Sequence, residues 1–215
     1  DALRIAIPTV SHVYQNLALP TADELAAVTK AGSGSCNLDA SCTSDYQVES
    51  NAVARMLYTR EDGKSYLCTG TLVNNVKGDY TPYFMTANHC ISSQTSASSL
   101  QTAWFYRSSS CNSGVPGSNT ATRYGGANLL YATADTDSSF LQLNEMPPAG
   151  VTLAGWDART TTTSGAAVYG LHQPLGDLLK YSVGSVSGFL NCSASGIDVL
   201  CTVGNSNSNF YDVTW

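Results

Sequence analysis

An all-β fold is what this sequence predicts, and three observations carry the prediction. Short runs rich in Val, Leu, Tyr, Phe and Thr recur from Asn51 to Trp215, separated by turn residues. Charged residues make up only 12% of the 215 residues, and Ser, Thr, Asn and Gly take their place. Glu61-Asp-Gly63 and Lys77-Gly-Asp79 sit between apolar runs and read as hairpin turns. Many short strands at this spacing suggest a sandwich or a barrel. The length fits one large domain or two small ones, and 43% hydrophobic residues suffice for a core.

Residues 1–32 differ from the rest. Ala2–Pro8 and His12–Tyr14 read as short extended pieces. Thr21-Ala-Asp-Glu24 is a capping-box pattern, in which a Thr hydroxyl and a Glu carboxylate satisfy each other's end of a first helical turn, so a short helix is expected through Val28. Beyond Asn51, strands are expected at 53–59, 65–73, 83–87, 101–106, 121–124, 129–132, 140–143, 151–156, 166–171, 179–186, 199–203 and 210–215. Pro147-Pro148 marks a crossing between two halves.

Composition excludes several functions. Net charge is −6 and no Lys/Arg cluster exists, so neither nucleic acid nor an anionic membrane is an expected partner. The stretch 81–106 is uncharged apart from His89 but rich in Ser, Thr and Gln, so it is not a membrane span. Seven cysteines suggest an oxidising compartment, secreted or periplasmic. There is no C-x-x-C pair and there are three scattered histidines, so no metal site is expected. Seven is odd, which leaves one cysteine without a partner inside the chain. The chain opens at Asp1 with no signal-peptide pattern, the form expected of a processed product.

Chemistry concentrates at Thr86-Ala87-Asn88-His89-Cys90, preceded by Cys68-Thr69-Gly70-Thr71-Leu72. This pair of segments resembles the trypsin-like serine protease pattern, a C-x-G-(S/T)-L strand beside a strand ending T-A-x-H-C. The resemblance makes His89 the general base, a role that needs an imidazole held rigidly near its nucleophile. Asp137-Ser-Ser-Phe-Leu-Gln-Leu143 resembles the family's D-x-x-L-L-x-L, so Asp137 is expected to lie buried beside His89 and hold its tautomer. Asp135 is the rival, two residues earlier, and reads as a turn acid. The nucleophile belongs in a G-(D/S)-S-G loop whose N–H groups form the oxyanion hole. No such loop occurs. Ser187-Gly188 comes nearest but lies inside a strand–turn run, and Ser164-Gly165 and Ser33-Gly34 fit no better.

Within these proteases the chain is most similar to the bacterial lysyl endopeptidase group. Gly32-Ser-Gly-Ser-Cys36-Asn-Leu-Asp-Ala-Ser-Cys42 resembles that group's mature N-terminus. Ala154-Gly-Trp-Asp157 and His172-Gln-Pro-Leu-Gly-Asp-Leu-Leu-Lys180 resemble its second-barrel motifs, and Phe210–Trp215 resembles the strand leading into the serine loop. The resemblance implies two antiparallel trypsin-like β-barrels, the second incomplete in this chain, with the serine beyond Trp215. It divides the chain into an N-terminal extension or propeptide remnant at 1–32, a first barrel at 33–145 and a partial second barrel at 146–215. It implies disulfides Cys42–Cys111 and Cys68–Cys90. It leaves Cys36 unpaired, for a cysteine past the serine or for a disulfide-linked C-terminal fragment. Cys192 and Cys201 flank a short turn and could close a local hairpin. Lys30-Ala31 could be a self-processing point. His172 is expected to hydrogen-bond within its own turn, His12 to be non-catalytic, and Trp104 and Trp156 to be core or cleft aromatics. The implied function is a secreted serine endopeptidase that acts on peptide or protein substrate and needs no cofactor, with a lysine preference inherited from the group. A two-chain enzyme, a non-catalytic homologue used as a binding module, and an inactive fragment stay open.

Overall fold

The computed structural model describes residue 34 and residues 36–158, 162–195 and 198–215. The extended pieces, the Thr21 helix, His12, Lys30-Ala31 and Ser33 lie outside them. The described residues form two antiparallel sheets. The first contains β2 (Val53–Thr59), β3 (Ser65–Val73), β4 (Tyr83–Thr86), β5 (Gln101–Trp104), β6 (Ala121–Arg123), β7 (Ala127–Thr133) and β8 (Ser138–Leu143), in the order β6-β5-β2-β3-β4-β8-β7. The second joins β1 (Leu38–Asp39), β9 (Ala167–His172), β11 (Asp198–Val203) and β12 (Phe210–Thr214) around the long β10 (Lys180–Ser195).

The first sheet curls around one core because alternate residues point inward. In β8 the buried positions are Ser139, Leu141 and Leu143; in β2 they include Ala54, Met56 and Tyr58. Met56, Tyr58, Phe84, Trp104 and Leu141 meet there, each at most 1% exposed. Gly70 of the C-x-G segment is required by this packing. A Cβ there would lie 2.2 Å from the Phe84 ring, whose edge meets Trp104. Gly63, at φ 75, closes the β2–β3 hairpin with its N–H on Arg60 O at 2.9 Å.

The two sheets meet on the outer face of β2. Val53 packs there with Ala40, Leu179 and Leu171, so the N-terminal strand β1 belongs with the second sheet and pairs Leu38 with Tyr181.

Four expectations need correction. The sheets are not closed barrels: β6 and β7 end the first ladder unjoined. Instead, the short helix α2 (Gln94–Ser98) bridges to β7, with Gln94 bonding both Ala127 O and the Leu129 N–H. Residues 151–156 are not a strand. They meet β3 at the parallel bridge of Val73 with Ala154, after the left-handed turn at Gly150, while Thr152 bonds Asn51 O and Val48 O ahead of β2, so the run forms no regular ladder. β10 does not stop at Val186 but runs on through a bulge between Val186 and Gly188, pairing with β9 over 180–185 and with β12 over 185–190. The two-residue β1, the short helix α1 (Gln47–Ser50) and α2 were not expected at all, being too short to show a period.

Candidate active site

Strand β4 delivers Thr86 to the rim of the first sheet, where its hydroxyl donates to Thr69 O at 2.9 Å. The chain then makes one tight turn, with the Cys90 and Ile91 N–H groups both on Ala87 O (3.1 and 3.2 Å). His89 stands on this turn. Cys90 is bonded to Cys68 on β3, so the turn is tied covalently to the neighbouring strand.

Pairing of Thr86 with Ser139 brings the start of β8 alongside. Asp137, immediately before β8, adopts φ 46, a left-handed conformation that Asp tolerates better than most residues. That turn aims its carboxylate at His89. Oδ1 accepts the His89 backbone N–H at 2.7 Å, Oδ2 lies 2.6 Å from Nδ1, and the Asp137 carbonyl accepts the Asn88 N–H at 3.0 Å. An Nδ1–H donating to a carboxylate leaves Nε2 free to accept a proton. Asp135 does not share this geometry. Its side chain is exposed and its carbonyl accepts from Asn209.

The pair is open to solvent. The His89 side chain is 69% exposed and that of Asp137 31%. The acid expected to be buried is thus about a third exposed, because its turn sits on the rim of the sheet rather than beneath it.

Three residues that sequence reasoning missed support the pair. Arg60 donates to the His89 carbonyl and stacks its guanidinium 4.3 Å over the Tyr66 ring. Ser139, fully buried, donates to Ile91 O and so ties the turn after His89 to the strand after Asp137. Asn209 reaches the Asp137 turn from the second sheet.

The other singled-out residues lie elsewhere. Ser187 sits at the β10 bulge, its carbonyl accepting from Ser164. His172 bonds outside its own turn, Nε2 to Asn37 Oδ1 at 2.5 Å, and burial pushes its pKa down. Trp104 is buried and Trp156 exposed, donating to Asn74 O at 3.0 Å. Disulfides join Cys42 to Cys111 and Cys192 to Cys201, and Cys36 is free and exposed. The sulfurs of Cys68 and Cys90 and a ring nitrogen of His89 lie within 4.8 Å of one another, but both sulfurs are in a disulfide and offer no thiolate to a metal.

Comparison with known proteins adds context to this geometry. The lysyl endopeptidase of Pseudomonas aeruginosa is 40% identical over 200 residues, covering 86% of this chain and 41% of that protein. The secreted RxLR effector protein 73 of Plasmopara viticola is 34% identical over 111 residues, 49% of this chain and 26% of that one. The chain thus spans well under half the length of these relatives. Among solved structures, the HtrA-type protease AlgW has a TM-score of 0.48 at 16% identity, covering 71% of this chain and 41% of that one. The Rv3671c protease of M. tuberculosis has a TM-score of 0.47 at 13% identity, with coverages of 72% and 58%. Residues 31–215 match the description "Lysyl endopeptidase, C-terminal domain", and the chain belongs to that family.

Proposed function

We propose that this chain carries the acid–base half of a secreted serine endopeptidase. His89 takes the proton of the attacking serine and returns it to the leaving amine, and Asp137 holds the imidazole in the Nδ1–H tautomer. The serine is supplied by polypeptide outside the described residues, following Trp215 or held through the free thiol of Cys36. The observation that carries the reading is the double contact of one carboxylate with both the backbone and the ring of His89. Three disulfides support an oxidising, extracellular or periplasmic setting. Family membership supports peptide or protein substrates and, more finely, cleavage after lysine.

Fluorophosphonate labelling of the purified full-length protein, read by intact mass before and after reduction, tests this. Label is expected on a serine outside residues 34–215, and is expected to be lost in His89→Ala. No labelling, or labelling indifferent to His89→Ala, overturns the reading. Cleavage of paired Lys and Arg peptides then decides the lysine preference.

A further inference from the structure

We propose that Asn209 is a positioning residue for the His89–Asp137 pair, fastening the second sheet to the turn that presents Asp137. This rests on the reading that Asp137 orients His89. The turn in question is Ala134–Asp137, closed by the Asp137 N–H on Ala134 O at 3.3 Å. The Asn209 carboxamide bonds this turn through its NH2 and the opposite hairpin through both of its ends. Nδ2 donates to Asp135 O at 2.7 Å and to Cys192 O at 2.9 Å, and Oδ1 accepts the Cys192 N–H at 2.9 Å. Two donors and an acceptor match the bonding capacity of a carboxamide and of no other side chain of that length.

Both supports of this bracket are stiff. Cys192 faces Cys201 across β10 and β11, and the two are joined as a disulfide. The loop leading into Asn209 is a compact knot. The Gly204 N–H donates to Phe189 O at 2.8 Å, the Asn205 N–H to Ser208 Oγ at 2.8 Å, and the Asn207 N–H to Asn205 Oδ1 at 2.9 Å. A Cβ on Gly204 would fall 1.9 Å from Ser208 Oγ, so a side chain there would push Ser208 from its place in the loop. Asn209 is therefore a fixed peg on the second sheet. Its outer bond falls on the peptide two residues before Asp137, whose own backbone is held left-handed. Loss of the peg frees the turn, and the carboxylate then loses its aim at Nδ1.

The experiment is NMR on this chain with 15N-labelled histidine, which needs no nucleophile. The His89 Nδ1–H resonance is expected downfield in the parent. In Asn209→Ala it is expected to move upfield and to exchange with solvent roughly tenfold faster, the factor that corresponds to weakening one hydrogen bond. Asn209→Asp keeps the acceptor for the Cys192 N–H and loses both donors. It is expected to do the same, and it decides the matter if Asn209→Ala does not fold. An unchanged resonance and exchange rate in a folded Asn209 variant overturns the proposal. Asp137→Asn separates the two failures. If it leaves the resonance intact, the dyad reading itself falls. If it removes the resonance while the Asn209 variants do not, the positioning role alone falls.

Discussion

Asp137 holds His89 twice, by the backbone N–H at 2.7 Å and by ring Nδ1 at 2.6 Å, with one oxygen for each. The backbone bond fixes where the residue stands, and the ring bond fixes which nitrogen faces outward. One carboxylate therefore contacts both the backbone and the ring of the same residue.

Asp137→Asn is the sharpest test of that arrangement. Asn tolerates the left-handed φ of this position, so the turn is expected to survive. The amide oxygen can still accept the His89 backbone N–H, but its NH2 then faces Nδ1 and stabilises the opposite tautomer. Turnover in the full-length protein is expected to fall by about 10⁴, the loss found for this change in a serine triad. Thermal stability is expected to stay within a few degrees. Steady-state hydrolysis and a melting curve on the same preparation check both halves.

The three disulfides should rank by the loop each closes. Sequence separations are 69 for Cys42–Cys111, 22 for Cys68–Cys90 and 9 for Cys192–Cys201. Chain entropy alone then gives about 4.4, 3.4 and 2.6 kcal/mol respectively. Paired Cys→Ser variants, unfolded in urea, are expected to lose stability in that order. A reversed order would mean that native packing, rather than the unfolded chain, dominates.

The pattern of what could be read ahead follows the range of the interactions. Strands β2 and β3 have the bounds that their alternation and the Glu61-Asp-Gly63 turn imply, because hairpins are local. His89 and Asp137, 48 residues apart, were singled out by motif, and the structure sets them side by side through the Thr86–Ser139 register. Residues 151–156 carry an apolar run with strand character but divide their bonds between β3 and the residues ahead of β2, so no continuous ladder forms. Asn209, Arg60 and Ser139 had no signal. Each is a common polar type whose role exists only after segments 29 to 74 residues distant have met.

Lys180 is expected to be costly to remove. It is 10% exposed and lies 3.5 Å from Asp177 and 3.9 Å from Asp39, which are 4% and 2% exposed. Asp39 also accepts from Ser108 Oγ at 2.5 Å and from the Ser41 N–H at 2.9 Å, so it is fixed where it stands. Lys180→Met takes a buried cation away from beside two buried carboxylates, and a loss of about 3–5 kcal/mol is expected. Adding Asp177→Asn removes one of the two negative charges and is expected to recover part of it. Urea unfolding of the single and double variants measures both. Because Asp39 pairs across β1 and β10 with Lys180, loosening of the N-terminal strand should appear first in the amide exchange of Leu38 and Tyr181.

His172 is expected to make stability depend on pH in one direction. Burial lowers its pKa below the ordinary 6.5, partly offset by a backbone hydrogen bond at Gly170. The folded state therefore prefers the neutral ring, while the unfolded chain takes up a proton near 6.5. Between the folded pKa and 6.5 the unfolded state binds more protons, so stability rises with pH in that window. It is fully present above 6.5, declines as pH falls through the window, and levels off once the folded ring is protonated too. Nε2 bonds Asn37 Oδ1, and Ser182 Oγ donates to the neighbouring Cys36 carbonyl at 2.9 Å. The cost of protonation is therefore that of placing a charged ring in a half-buried site beside the N-terminal stretch. His172→Gln can keep an N–H for Asn37 and cannot titrate. Urea unfolding at pH 7.5, 6.5 and 5.5 is expected to show a smaller decline for the variant than for the parent. Equal declines would assign the acid sensitivity to another group.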